Sequence, residues 1–152
     1  MLFVCWGNIC RSPAAQCVFQ NKINERGLKD RISCDSAGTI GMHAGQPPDS
    51  RMQQAGRMRS IPFFGQSRKY QSSDFEEFDL ILAMDHHNLS DMEAAKPEGE
   101  GHAEVKLFGH FVNKDQSPEV PDPYYGGGRG FDIVLDMVEK GCDQLIEYIV
   151  SR

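Results

Sequence analysis

The chain opens on an apolar triplet, Leu2-Phe3-Val4, that predicts a short buried strand ended by Gly7. Ser12-Pro13 then predicts a helix to about Arg26, with serine as N-cap, proline at the first helical position and Gly27 as the stop. Arg31–Ser36 reads as a second strand, and a Gly- and Pro-containing loop follows through Pro48. Asp49 caps a short helix reaching about Met58. The continuous run Leu80–Met84 predicts a strand covered on both faces. A short helix over Asn88–Ala95 stops before Pro97, and Glu104–Phe111 reads as a fourth strand. Residues 112–130, rich in proline and glycine, form a long loop, and that length alone makes it a functional candidate. Phe131, Val134, Leu135, Val138, Cys142, Leu145 and Ile149 repeat at helical spacing and predict the last helix.

Strands alternating with helices predict right-handed crossovers and an α/β fold. The expected form is a small doubly wound parallel sheet of four strands with helices on both faces. No internal repeat or low-complexity linker divides the 152 residues, so a single domain over 1–152 is expected. Ligands in such folds sit at the carboxyl ends of strands. That directs attention to the residues just after Val4.

Composition narrows the class. A hydrophobic share of 39% and a charged share of 25% are those of an ordinary globular protein. No apolar run reaches membrane-spanning length, and the first five residues lack the form of a signal peptide, so no membrane insertion and a cytoplasmic location are expected. The net charge is −6 with Lys and Arg scattered, which argues against nucleic acid as partner. The five cysteines contain no C-x-x-C pair, which excludes a disulfide framework or a recognisable zinc site.

The candidate chemistry lies in "VCWGNICRSP", residues 4–13. C-x5-R alone is a weak signal, and Ser12-Pro13 is explained by capping. A strand, a glycine-containing loop and a helix N-terminus in succession, however, build an anion site from converging N–H groups. Trp6, Gly7, Asn8, Ile9 and Cys10 form the phosphate-binding loop of that reading, with Gly7 and Asn8 able to take a left-handed backbone. Arg11 can fork two N–H groups onto two phosphate oxygens. The same field favours the thiolate of Cys5, with the Ser12 hydroxyl as hydrogen-bond donor, and makes Cys5 a nucleophile aimed at phosphorus. Cys10 reads either as a small packing residue or as a redox partner that traps oxidised Cys5. Cys17, Cys34 and Cys142 read as packing residues.

A phosphate ester also needs its leaving oxygen protonated. Asp122, held between Pro121 and Pro123, is the candidate acid, and the solvent-facing turn is its competing reading. Tyr124 and Tyr125 could wall a slot for an aromatic ring. Asp85-His86-His87 with Asp91 reads as a solvated helix start rather than a metal site, and His43, His102 and His110 read as isolated.

"VCWGNICRSP" and "DPYYGG" together resemble the low-molecular-weight protein tyrosine phosphatases. "DSAG" (35–38), "PPDSR" (47–51), "AMDHHN" (83–88) and "FDIVLDMVEKGCDQL" (131–145) resemble that family as well, so the likeness spans nearly the whole chain. The resemblance implies metal-free, cofactor-free hydrolysis of phosphotyrosine in tyrosine-phosphorylated proteins, with phosphate or other oxyanions bound in the site. It makes Cys5 the nucleophile of a phosphocysteine intermediate, Arg11 the phosphate clamp and Asp122 the acid and then the base. Asn8 and Ser12 order the loop, Ser36 supports it, and Met42, Tyr124 and Tyr125 form the rim. Trp6, Met42 and Gly65 depart from the usual family residues.

Arsenate reductases of this fold need two further cysteines, absent from 79–95. Arginine phosphatases of the family resemble the chain but carry threonine where Ile9 stands. Cysteine-phosphorylated sugar-transport components use a similar loop without a positioned acid. A phosphotyrosine-binding module or a thiol redox sensor would need Arg11 or the thiols but not Asp122.

Overall fold

The computed structural model describes residues 1–99, 101–124 and 127–152. Four strands, β1 (Leu2–Cys5), β2 (Asp35–Gly38), β3 (Leu80–Ala83) and β4 (Glu104–Leu107), form one parallel sheet in the order β2-β1-β3-β4. The order reverses direction at the β1–β3 boundary, where the doubly wound arrangement opens a crevice beyond the strand ends.

The period-2 geometry of a strand divides the apolar runs between two cores. Phe3, Leu80, Leu82 and Met84 face helices α1 (Arg11–Glu25) and α6 (Gly130–Val150), among Val18, Phe19, Val134, Leu135 and Val138. Leu2, Val4 and Ile81 face the opposite side, against Phe75 of α3 (Asp74–Glu77) and Met92 of α4 (His86–Ala95). Helix α2 (Ser50–Arg57) begins at Asp49, whose side chain accepts from Arg51 N, as the sequence predicts. Val134, Leu135, Val138, Cys142 and Leu145 of α6 are buried as expected, Phe131 and Ile149 are partly buried against them, and Phe108 lies in the same core just before α5 (Gly109–Val112).

Several boundaries differ from expectation. Strand β2 is Asp35–Gly38 rather than 31–36, because the amides of Arg31 and Ile32 both donate to Leu28 O and close a turn. Strand β4 ends at Leu107. Phe108 N makes the last bond to Ala83 O, and the chain then coils into α5 with Gly109 against the backbone of Pro118. Helix α1 begins at Arg11 with Cys10 as N-cap and no capping side chain, so Ser12 lies inside the first turn. Its hydroxyl is engaged at the site instead. Helix α4 starts at His86, two residues earlier than predicted, because Asp85 accepts from Asn88 N at 2.7 Å.

Candidate active site

The chain leaves β1 at Cys5 and turns into α1 through five residues, 6–10, and the turn closes around the cysteine sulfur. Asn8 N–H points at Cys5 Sγ from 3.3 Å, and Ser12 Oγ lies 3.0 Å from it. The turn is made possible by Asn8, which stands at φ 57, a left-handed value that asparagine tolerates better than most residues. That conformation is held from several sides. Asn8 Nδ2 donates to Ser12 Oγ at 2.7 Å and to Ser36 Oγ at 3.0 Å, while Asn8 Oδ1 accepts from Arg68 N at 3.0 Å. Ser12 Oγ accepts from Asn8 Nδ2, and its own hydroxyl has two neighbours, the sulfur at 3.0 Å and Ala37 O at 3.4 Å. Ser36 Oγ in turn donates to Gln16 Oε1 at 2.6 Å. Asn8, Ser12 and Ser36 are all buried, so this network works in a low dielectric, where each bond counts for more.

Arg11 extends from the first turn of α1 beneath the loop and is 3% exposed. Its Nη1 donates to Asp85 Oδ2 at 2.7 Å and to Val120 O at 3.2 Å, and its Nη2 lies 3.6 Å from Asp122 Oδ2. Burial by itself would make the guanidinium easier to deprotonate, but Cys5, Asp85 and Asp122 outweigh it and hold Arg11 above its ordinary value. Val120 explains how the long loop reaches the site. Its N–H bonds to Met84 O just past the end of β3, its side chain is fully buried, and Asp122 stands two residues further on. Asp122 Oδ1 also accepts from Tyr124 N at 3.0 Å.

These groups share a cavity of about 140 Å³ lined by Cys5, Arg11, Asp122, Ile9, Met42 and Tyr124, with Trp6, Gly7, Cys10 and His43 completing it. Of the sequence-predicted site residues, Asn8, Ser12 and Ser36 form the buried network behind Cys5 rather than line the cavity, Tyr125 falls outside the described residues, and the others line it. Met42 is exposed at the rim, and Tyr124 is half-exposed beside it. Cys10 is buried, and burial, joined by the charges of Asp49, Cys5 and Asp122, pushes its thiol up, so it stays protonated. Cys17 is likewise pushed up to about 11 and Cys34 to about 12, both mainly by burial. Their places, with Cys142 in the core, accord with packing.

Four residues were missed or misread from sequence. His43 is not isolated: its ring lies against Gly7 and 6.4 Å from that of Tyr124. Asp85 caps α4 as a helix start should, but its second oxygen holds Arg11, and His87 pairs with Asp91 at 3.4 Å. Ser67 Oγ donates to Gly7 O at 3.0 Å, beside Gly65, which stands at φ 94. Arg68 supplies the amide that fixes Asn8 and bridges Asp35 and Asp74 through its side chain. The signal for Asp85 was present as "MD" directly after an apolar strand, where doubly wound folds place ligand-site groups. Ser67 and Arg68 lie in an irregular stretch with no periodicity to read.

Asp85 acts through Arg11, as a positioning residue. Asp85→Asn keeps the acceptor but halves the strength of a charge-assisted bond, so kcat is expected to fall about tenfold with KM little changed. Steady-state kinetics on an aryl phosphate checks it, and an unaltered kcat would show that Val120 O alone aims the guanidinium.

A thiol that accepts the Asn8 N–H and shares one cavity with an arginine and a carboxyl defines the class of cysteine-dependent phosphate-ester hydrolases. The family model described as low molecular weight phosphotyrosine protein phosphatase matches residues 1–152. The chain belongs to that family. A Synechocystis sp. relative carrying the low molecular weight protein-tyrosine-phosphatase name is 46% identical over 146 residues, 96% of this chain and 93% of that one. The crystal structure of a protein tyrosine phosphatase from Entamoeba histolytica, with Hepes in its active site, is 43% identical with a TM-score of 0.92, covering 99% of this chain and 96% of that one. A Drosophila arginine phosphatase structure is 30% identical with a TM-score of 0.90, covering 97% and 96%. Among the described residues no helix is long and apolar enough to cross a membrane.

Proposed function

We propose that residues 1–152 act as one phosphatase domain that hydrolyses phosphotyrosine in proteins through a phosphocysteine intermediate. The observation that carries this reading is the placement of Cys5 Sγ, Arg11 and Asp122 on one small cavity. The phosphate dianion enters over the loop amides and takes up Arg11, displacing the weak 3.6 Å approach to Asp122. Cys5 Sγ attacks phosphorus, and the P–O bond to the phenol breaks as Asp122 gives its proton to the departing oxygen. Asp122, now a carboxylate, takes a proton from the water that attacks phosphorus; the new O–P bond forms as the S–P bond breaks, and inorganic phosphate leaves with the thiolate restored. Ser12 and Asn8 N–H stabilise that thiolate in both half-reactions.

The reaction asks for no metal or cofactor, because side chains supply nucleophile, clamp and acid. Ile9, Met42 and Tyr124 offer an apolar slot suited to a phenyl ring rather than to a guanidinium. The cysteines are all unpaired, which supports a reducing, cytoplasmic setting. Cys10 lines the same cavity as Cys5. After a peroxide converts Cys5 to its sulfenic acid, the Cys10 thiol can displace water to form a disulfide that a thiol reductant reverses.

The test is phosphate release from a phosphotyrosine peptide under reducing conditions with chelator, beside matched phosphoserine and phosphoarginine peptides. Phosphotyrosine is expected to exceed both in kcat/KM by about a hundredfold or more. Preference for phosphoarginine, or tight binding of phosphotyrosine without turnover, would overturn the reading.

A further inference from the structure

Trp6, the chain's single tryptophan, lines two cavities. One is the thiol pocket. The other is an open groove of about 320 Å³ lined by Trp6, Arg11, Asp85, His87, Asn88 and Asp122. It shares the Arg11–Asp122 pair with the thiol pocket, so a chain whose phosphorylated side chain reaches Cys5 passes its neighbouring residues over this groove.

The groove has a marked charge. Arg11 is buried and already bound by Asp85, and a substrate phosphate would claim its remaining capacity. What stays accessible, apart from Asp122, which carries the proton for the leaving oxygen, is anionic: Asp85 is about a fifth exposed. Glu119 Oε2 accepts from His86 N at 2.8 Å beside it, and Asp91 stands against His87. His87 itself is largely exposed.

A second observation points to a ligand. Asn88, 1% exposed and part of the groove lining, has both side-chain amide atoms buried without a hydrogen-bond partner among the described residues. Buried amides are nearly always paired, and an orphaned one costs of the order of 1–3 kcal/mol, so its retention asks for a reason. A carboxamide lacking both partners matches a group that donates and accepts together, as a peptide unit does.

We propose that this groove is a substrate subsite for the residue next to phosphotyrosine, and that it selects a basic side chain there. The ammonium or guanidinium lies over the Trp6 indole and pairs with Asp85, while the peptide unit takes the Asn88 amide as its partner. An acidic neighbour meets only like charge. The subsite rests on the phosphotyrosine reading above and names the sequences on which that activity is expressed.

Matched phosphotyrosine peptides carrying Lys, Ala or Glu on either side of the phosphotyrosine test it, with p-nitrophenyl phosphate as a substrate too small to reach the groove. The KM of the better Lys peptide is expected to be about tenfold below that of its Glu counterpart, shrinking as KCl screens the pairs. His87→Lys, a surface change that puts a cation in the groove, is expected to bring the ratio near one. Reading the ratio within each variant cancels any general loss of activity. A wild-type ratio near one, a preference for Glu, or a Lys preference that His87→Lys leaves intact would overturn the subsite while the phosphatase reading stands. Failure to turn over any phosphotyrosine peptide while p-nitrophenyl phosphate is hydrolysed would overturn both.

Discussion

Cys5→Ser releases no phosphate above background, a loss of about 10⁴-fold or more in kcat, while its affinity for inorganic phosphate is kept. The expectation rests on which groups the loop supplies and which it lacks. Asn8 N–H and Ser12 Oγ stabilise an anion at the sulfur position, but none of the groups hydrogen-bonded to Cys5 is a base able to deprotonate a serine hydroxyl. Sulfur is intrinsically nucleophilic without a neighbouring base, whereas a serine hydroxyl needs one. The cradle itself survives the exchange, since serine is close in shape and Arg11 and the loop amides are untouched. Acid-quenched wild-type enzyme should carry phosphate on sulfur, and its phenol release should show a burst equal to the enzyme present. Turnover by Cys5→Ser near the wild-type rate would place the nucleophile elsewhere and end the phosphocysteine mechanism.

Asp122→Ala lowers kcat by about 10²–10⁴-fold on phenyl phosphate, and the loss shrinks as the leaving phenol becomes more acidic. Asp122 lines the same cavity as the sulfur on a segment anchored by Val120, so the variant loses a proton donor without losing the loop. Tyr124 N gives up one hydrogen bond, a minor matter for an exposed turn. A series of aryl phosphates spanning several units of leaving-group pKa separates the roles. An acid predicts a steep dependence in the variant and a shallow one in wild type, whereas a merely structural aspartate predicts parallel lines. Parallel lines would remove Asp122 from the chemistry.

Both predictions concern residues legible in sequence, and the reason is local. Cys5, Gly7, Asn8 and Arg11 are held within seven residues, between an apolar strand and a helix start, so chain geometry alone brings them together. Asp122 was legible more weakly, as a carboxyl on a stiff Pro-Asp-Pro backbone, and needed the companion motif to be weighed against a surface turn. Ser12 shows where local reasoning misleads. Its place before Pro13 reads as a helix cap, yet the helix begins at Arg11, two residues before Pro13, and the hydroxyl lies 3.0 Å from the sulfur. Capping and thiolate solvation compete for one hydroxyl, and the Asn8 amide settles the matter by donating into it.

The edges of β2 and β4 were misplaced for a related reason. Ile32 and Phe111 are apolar and strand-like, but their amides are used in turns that only the packed neighbours make favourable. Periodicity reports which face a residue buries, not which partner its backbone finds.

By itself, the sequence determined the α/β order, the two-sided burial of β1 and β3, and a thiol–arginine anion loop at the end of β1, since each depends on residues near in the chain. Only the tertiary structure decided that Asp85 grips Arg11 across 74 positions, that Ser67 and Arg68 brace Gly7 and Asn8 from 60 positions away, and that Trp6 divides a pocket from a groove. Contacts of that span carry no periodic trace. They exist because a parallel sheet brings the carboxyl ends of distant strands to one edge, where loops of unrelated sequence must satisfy one another's buried polar groups.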